Sequence, residues 1–371
     1  MPAIQQPRWP CDACGAAMHF SPRMGQLVCP HCGNSKPMPE VAAPDRRQAM
    51  TEHDLQTALR GALPASAMED NRIARCGGCG AELEIEDRVE ATTCPFCATP
   101  VVPSPQTHRQ IRPQAVLPFA LTEKEARDSM TKWLGSLWFA PNGLQQYARK
   151  GRQLIGIYTP FWTYDADSYS RYTGMRGDAY YETQTVTVMV DGRPQRQQQQ
   201  VRKIRWSRVG GNVARQFDDV LVIGSTSLPR EHTEALAPWQ LDRLQPYDPD
   251  YMSGFQAEAY TVPLEQGHAW ARQIMEAQIA MDVRRDIGGD EQRIERIQTD
   301  WSAETFKHIL LPVWTAAYKY NGKSYRFVVN GQTGAVKGER PYSIWKIAFA
   351  VLCALIVMGL FAYFSEAAGY R

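Results

Sequence analysis

Eight of the nine cysteines fall into two copies of one pattern, Cys11-x2-Cys14-x14-Cys29-x2-Cys32 and Cys76-x2-Cys79-x14-Cys94-x2-Cys97, offset by 65 positions. Four thiolates complete the tetrahedral shell of a zinc ion and leave no place for water or substrate. Both sets therefore predict structural metal, two Zn2+ per chain. The stretch between the cysteine pairs is long enough for a β-hairpin with one pair at each end, which is a zinc ribbon. In the first set Met18 and Phe20 alternate, Ser21–Gly25 turns, and Leu27 and Val28 lead back to Cys29. In the second, Leu83 and Ile85 alternate before an Asp87-Arg88 corner, and Val89–Thr93 returns. Each ribbon is poor in apolar residues, so metal binding would supply most of its folding free energy, about 10–16 kcal/mol apparent. Disulfide pairing is the competing chemistry. It belongs to secreted chains, and no secretory segment precedes Cys11.

The second constraint is Ile347–Phe364, eighteen residues without a charge. With Ile344 and Trp345 the run is long enough to cross a bilayer, and a transmembrane helix is expected over residues 344–364. Tyr342, Trp345, Tyr363 and Tyr370 stand at its margins, where aromatic belts form. Lys337, Arg340 and Lys346 precede it and only Arg371 follows. The positive-inside rule then predicts a single-pass, tail-anchored protein of the inner (cytoplasmic) membrane with its bulk in the cytoplasm. Reduced thiolates call for the same compartment. Cys353, within the run, reads as a small packing or lipid-facing residue.

The remaining chain divides into ribbon 1 (1–40), a linker with a candidate short helix at Thr51–Arg60 (41–71), ribbon 2 (72–99), a proline-rich linker (100–113) and an α+β body (114–340). The linkers are expected to carry no packed core. In the body, Thr122 caps a predicted helix over Leu121–Trp138, with Met130, Trp133, Leu134 and Leu137 on its apolar face. A second helix is predicted over Glu265–Ile287, with Trp270, Ile274, Ala277 and Met281 on one stripe. Short strands are predicted at 154–164, 183–190, 201–208, 220–223, 294–301, 309–320 and 324–329. Asn321-Gly322 is the hairpin signal between the last two.

Pro160-Phe161-Trp162-Thr163 recurs as Pro312-Val313-Trp314-Thr315, each after a long helix. A duplicated α+β unit or a coincidence of aromatic-rich strands would each give this match. Between the copies, Arg193–Arg208 holds six basic residues and no acidic one. Phosphates of lipid or nucleic acid would suit it, as would exposure on a solvated hairpin loop. Formal charge is only +2, so no strong overall field draws the chain to nucleic acid.

Phosphate-binding, dinucleotide, nucleophile-elbow and H-E-x-x-H patterns are absent, and no catalytic residue is assigned. The paired CxxC sets, Leu117-Pro118-Phe119, Gly156–Ala166, Leu311–Trp314 and the terminal helix resemble the bacterial TFIIB-type zinc-ribbon membrane proteins. That family is often labelled primosomal protein N′ or superfamily II helicase. It is similar to zinc-ribbon proteins associated with phage-shock and SPFH systems. The resemblance implies a non-enzymatic adaptor whose zinc ligands are the eight cysteines. It also implies a membrane-associated protein partner of SPFH/flotillin-like or phage-shock coat type, with lipid contacted through the helix. The alternative is a nucleic-acid-binding zinc-ribbon protein without helicase activity. The acidic residues Glu82, Glu84, Glu86, Asp87 and Glu90 of ribbon 2 weigh against it.

Overall fold

The computed structural model describes residues 9–39, 50–85, 92–97, 99–102, 107–139, 154–190, 193–320, 323–339 and 343–369. The Asp87-Arg88 corner, the Asn321-Gly322 turn, and Arg340, Tyr342, Tyr370 and Arg371 lie outside them. The architecture is mixed α+β, with two N-terminal four-cysteine clusters and one C-terminal apolar helix.

In the first cysteine module β1 (His19–Ser21), β2 (Gln26–Val28) and β3 (Ser35–Pro37) form a small antiparallel sheet. The expected alternation holds here: Met18 and Phe20 are buried and His19 is exposed. β4 (His53–Asp54) leads into α1 (Leu55–Leu59), which Asp54 caps through the Thr57 N–H. The second module is built differently from the expected hairpin. β6 (Glu82–Glu84) pairs with β5 (Met68–Arg75), which precedes Cys76, while β7 (Thr92–Thr93) pairs with β8 (Pro100–Val101). Residues 100–113, expected as an unpacked linker, also contain β9 (Thr107–Ile111), which pairs with β5. Val101, Gln110 and Ile111 are buried there while Val102, Thr107, His108 and Arg109 are exposed, so the segment is packed in part.

The body is organised by three long strands. After β10 (Ala115–Val116) and α2 (Glu123–Ser136) come β11 (Ile155–Val190) and β12 (Arg193–Ile223). Next are α3 (Arg230–Glu234), β13 (Gln245–Pro246), β14 (Gln256–Ala257) and α4 (Leu264–Ile287). The chain closes with β15 (Glu291–Tyr320), β16 (Lys323–Asn330), β17 (Val336–Gly338) and α5 (Ile344–Gly369). The main sheet runs β12-β11-β15-β10-β13, with β4 and β16 also on β15, β14 on β11, and β17 on β16. Six of the short strands expected from the sequence are therefore segments of β11, β12 and β15, and the seventh, 324–329, is β16. At about 3.3 Å per residue β11 alone is roughly 115 Å long. The glutamine-rich basic stretch is strand rather than loop.

The two long helices differ in how well the sequence announces them. Thr122 and Glu125 form the capping box at the start of α2, and Met130 and Leu134 are buried as expected. On α4 the buried row is Leu264, Gly267, Ala271, Met275, Ile279, Val283 and Ile287. Ile274, Ala277 and Met281 of the expected stripe are exposed. Small residues decide the face: Gly267 lets the helix approach Trp162 and Tyr164, whose Nε1 and Oη donate to the carbonyls of Val262 and Leu264. The Trp314 Nε1 donates in the same way to Leu121 O, just before α2. Each tryptophan of the repeated segment thus anchors the start of a long helix.

Both cysteine modules pack against this body. Met18, Phe20 and Leu27 share a core with Phe119, Tyr158 and Trp314, and the Phe20 N–H donates to Ser253 O at 2.9 Å. Phe96, Leu83 and the cysteines of the second module share one with Leu228, Leu236, Val313 and Val328. The modules, joined through linkers expected to carry no packed core, are docked on the body. The apolar residues too few to form a core within each module complete one with the body.

Candidate metal centres

Each Cys-x2-Cys pair sits on one tight loop. The N–H of Cys11 donates to Ala16 O, that of Cys29 to Asn34 O, that of Cys76 to Ala81 O and that of Cys94 to Thr99 O, all at 2.7–2.9 Å. In three of the loops the residue after the second cysteine is glycine at positive φ: Gly15 at 73°, Gly33 at 76° and Gly80 at 77°. Its N–H returns to the carbonyl of the first cysteine, a turn that a side chain would strain. Two such loops then face each other across each module.

The resulting clusters are Cys11, Cys14, Cys29 and Cys32, and Cys76, Cys79, Cys94 and Cys97, with all four sulfurs within 4.8 Å of one another in each. Every pairing across the loops is internal to its own module. Cys11–Cys32 is 3.6 Å, and Cys14–Cys29, Cys76–Cys97 and Cys79–Cys94 are 3.5 Å. A disulfide would bring sulfurs to about 2.05 Å. A tetrahedron with 2.3 Å metal–sulfur bonds has edges of about 3.8 Å, so the observed spacing fits a tetrathiolate metal site.

The electrostatics fit as well. Burial opposes the Cys11 thiolate, but the N–H groups of Ala13 and Cys14 outweigh it and bring the group down to about 6. The Ala16 N–H favours the Cys14 thiolate, yet Cys32 and Cys29 crowd it and push it up to about 12. Burial raises Cys94, while Cys97, despite burial, is brought to about 7 by Thr99. Four sulfurs this close cannot all ionise unaided; a divalent cation at their centre removes that conflict. His31 and His19 are exposed and stand outside the sulfur clusters.

A third polar cluster was not expected from the sequence. The register of β11 shifts on both sides of Asp165, against β12 and against β15. This bulge brings Asp165 beside Asp218 and Asp219. Asp219 has φ 52° and donates its N–H to the Asp165 carboxylate. Lys307 reaches Glu52 at 2.9 Å and Asp219 at 2.8 Å, so its ammonium supplies the cation among these carboxylates. Burial and Glu52 raise Asp165, whereas hydrogen bonds from Asp165, Thr305 and Lys307 lower Glu52 in spite of burial. The arrangement is a half-buried ion cluster that ties β4 to the sheet. Only the Asp218-Asp219 pair, breaking an apolar strand, hinted at it.

At the other end, Ile344–Phe361 of α5 has a mean hydropathy of 2.4 and none of it is buried. It is long and apolar enough to cross a membrane, and Cys353 is exposed on it.

No family model and no solved structure matches the chain. It is similar to a Bacillus subtilis (strain 168) protein described as "Uncharacterized protein YdjG", with 24% identity over 346 residues covering 91% of each chain. The chain is a mixed α+β protein with two potential tetrathiolate metal centres and an apolar helix of membrane-spanning length.

Proposed function

We propose that this chain is a membrane-anchored adaptor. Two structural zinc ribbons stiffen its cytoplasmic surface, α5 holds it in the inner membrane, and it works by binding a protein rather than by catalysis. The observation that carries this reading is the closure of both sulfur clusters. Each uses all four of its donors within one module, and a metal there has no open position for chemistry. The docked modules and the body would then present one rigid surface beside the bilayer. The resemblance points to an SPFH/flotillin-like or phage-shock-type coat protein as the partner class. A duplicated origin of the body is supported by the two tryptophans, Trp162 and Trp314, each of which donates to the carbonyl two residues before a long helix, α4 and α2 respectively.

The test has two measurements. Protein purified in detergent without added metal should hold two zinc ions per chain. Deletion of residues 344–371 should release it from carbonate-washed membranes. A metal ratio near zero with oxidised cysteines would remove the ribbons from the reading, and retention of the deleted chain on washed membranes would remove the anchor.

A further inference from the structure

Among the described residues β12 pairs only with β11, so its other edge is open along 31 residues. An open edge carries a row of unpaired N–H and C=O groups and is a template for another strand. From 194 to 200 every side chain is exposed, and Pro194 sits where a strand lacking one donor is tolerated, at an edge. The same stretch is chemically one-sided. Residues 193–208 contain six basic side chains and no acidic one.

Their placement follows from the register. Residues of β12 facing α4 include Val209, Val213 and Phe217, which pack with Ile279 and Val283. Arg196, Arg202 and Arg208 have the opposite parity and share the face turned away from the helix. Arg202 is held by Glu291, while Arg196 and Arg208 make no ion pair among the described residues. On the other face Lys203 is paired with Glu182, and Arg205 lies over the Tyr180 ring.

We infer that the distal edge of β12 is a docking site for an acidic, extended segment of a partner protein, which adds to the sheet as a further strand. The backbone ladder would supply affinity and the arginine row would select for acidic side chains. A second copy of this chain is disfavoured, because edge-to-edge pairing would set basic residues against basic residues. A lipid surface fits less well. The chain enters α5 at Ser343, whose N–H donates to Phe139 O just past α2, and α2 packs Trp133 on Phe327 of β16, next to the row in which Thr315 pairs with Ile155 at the start of β11. Arg208 lies opposite Met175, about 65 Å farther along that strand. The site is independent of the metal centres and adds a binding surface to the adaptor reading.

The probe is a fluorescent twelve-residue peptide of repeated Glu-Val-Glu-Thr. It is titrated against the full chain in neutral-lipid nanodiscs and read by anisotropy. A matched peptide N-methylated at successive residues keeps the charge and blocks both backbone edges. The unmodified peptide should bind, the methylated one at least tenfold more weakly. Arg196→Glu/Arg202→Glu/Arg208→Glu should also lose at least tenfold, and the milder Arg196→Gln/Arg208→Gln should lose less. Equal binding of both peptides, or no effect of either variant, would overturn the inference. So would absence of peptide binding together with capture of a 20-base-pair DNA or flotation on phosphatidylglycerol vesicles, since these would assign the arginines to phosphate.

Discussion

Replacing Phe20 by alanine measures how firmly the first cysteine module is held to the body. The ring is 4% exposed and meets Tyr251 edge-on at 5.2 Å between centroids, with Phe255 at 6.5 Å. A buried phenylalanine covers roughly 150–250 Å2, and at about 25 cal/mol per Å2 its removal forfeits about 4–6 kcal/mol as an upper bound. Measured Phe→Ala losses in cores run to about 3–5 kcal/mol. The Phe20 N–H bond to Ser253 survives the change, so the loss is packing alone. A loss of about 3 kcal/mol or more is therefore expected, more than a hundredfold in the equilibrium between docked and undocked states. The assay is urea unfolding in detergent, followed both by tryptophan fluorescence and by metal release to a chromogenic chelator. Phe20→Ala should release metal from the first module at lower urea. A shift worth under 1 kcal/mol would refute docking and restore the picture of a freely tethered module.

Gly267→Ala should destabilise, although alanine is the better helix former by about 1 kcal/mol. The added Cβ would lie 2.5 Å from Tyr164 Oη and 2.9 Å from Trp162 Cδ1, and thermal unfolding would report a lower midpoint. Cys94→Ser should lower the stability of the body as well as empty the second centre, because Cys94 is fully buried in the core that contains Val313 and Val328. Unchanged unfolding of the body, read from its tryptophans, would contradict this. Glu258 is buried, accepts from Ser225, and is held up at about 7 by desolvation, from an ordinary value of 4.5. Below pH 4.5 the group is protonated folded or unfolded and has no effect. Between there and about 7 only the unfolded chain releases the proton, so stability falls as pH rises, and the loss is complete above 7. Glu258→Gln should accordingly gain on the wild type between pH 4.5 and pH 7.5 in urea titrations, and a constant difference would count against it.

Features encoded locally were legible from the chain. The cysteine spacing specified two separate four-sulfur sets because each loop closes on itself within six residues. Thr122 and Glu125 announced the start of α2, and the uncharged run announced α5. Features set by distant partners were not legible. The long strands continue through Asp165 and Gly210-Gly211 because neighbouring strands hold them on both sides or one, where local composition reads as breaks. The buried face of α4 is marked by Gly267 and Ala271, whose value lies in what they leave room for. Glu52, Asp165, Asp219 and Lys307 meet only through a bulge and a crossing strand. The segment at 100–113 gains its core from β5, some forty residues earlier.

The docking of the second cysteine module also has a consequence in time. Cys94 and Phe96 pack against Val313 and Val328, which leave the ribosome some 220 residues later. At about 5–20 residues per second, that interval is roughly ten to forty seconds. During it the sulfurs and Phe96 have no body to shelter them. Metal capture can hold the loops closed from the outset, because all of its donors have already emerged. A nascent chain made under metal starvation would instead carry free thiols and an uncovered apolar patch while the three longest strands are still being completed. With the proposed metal in both centres, its supply during synthesis would set how many chains reach the docked state.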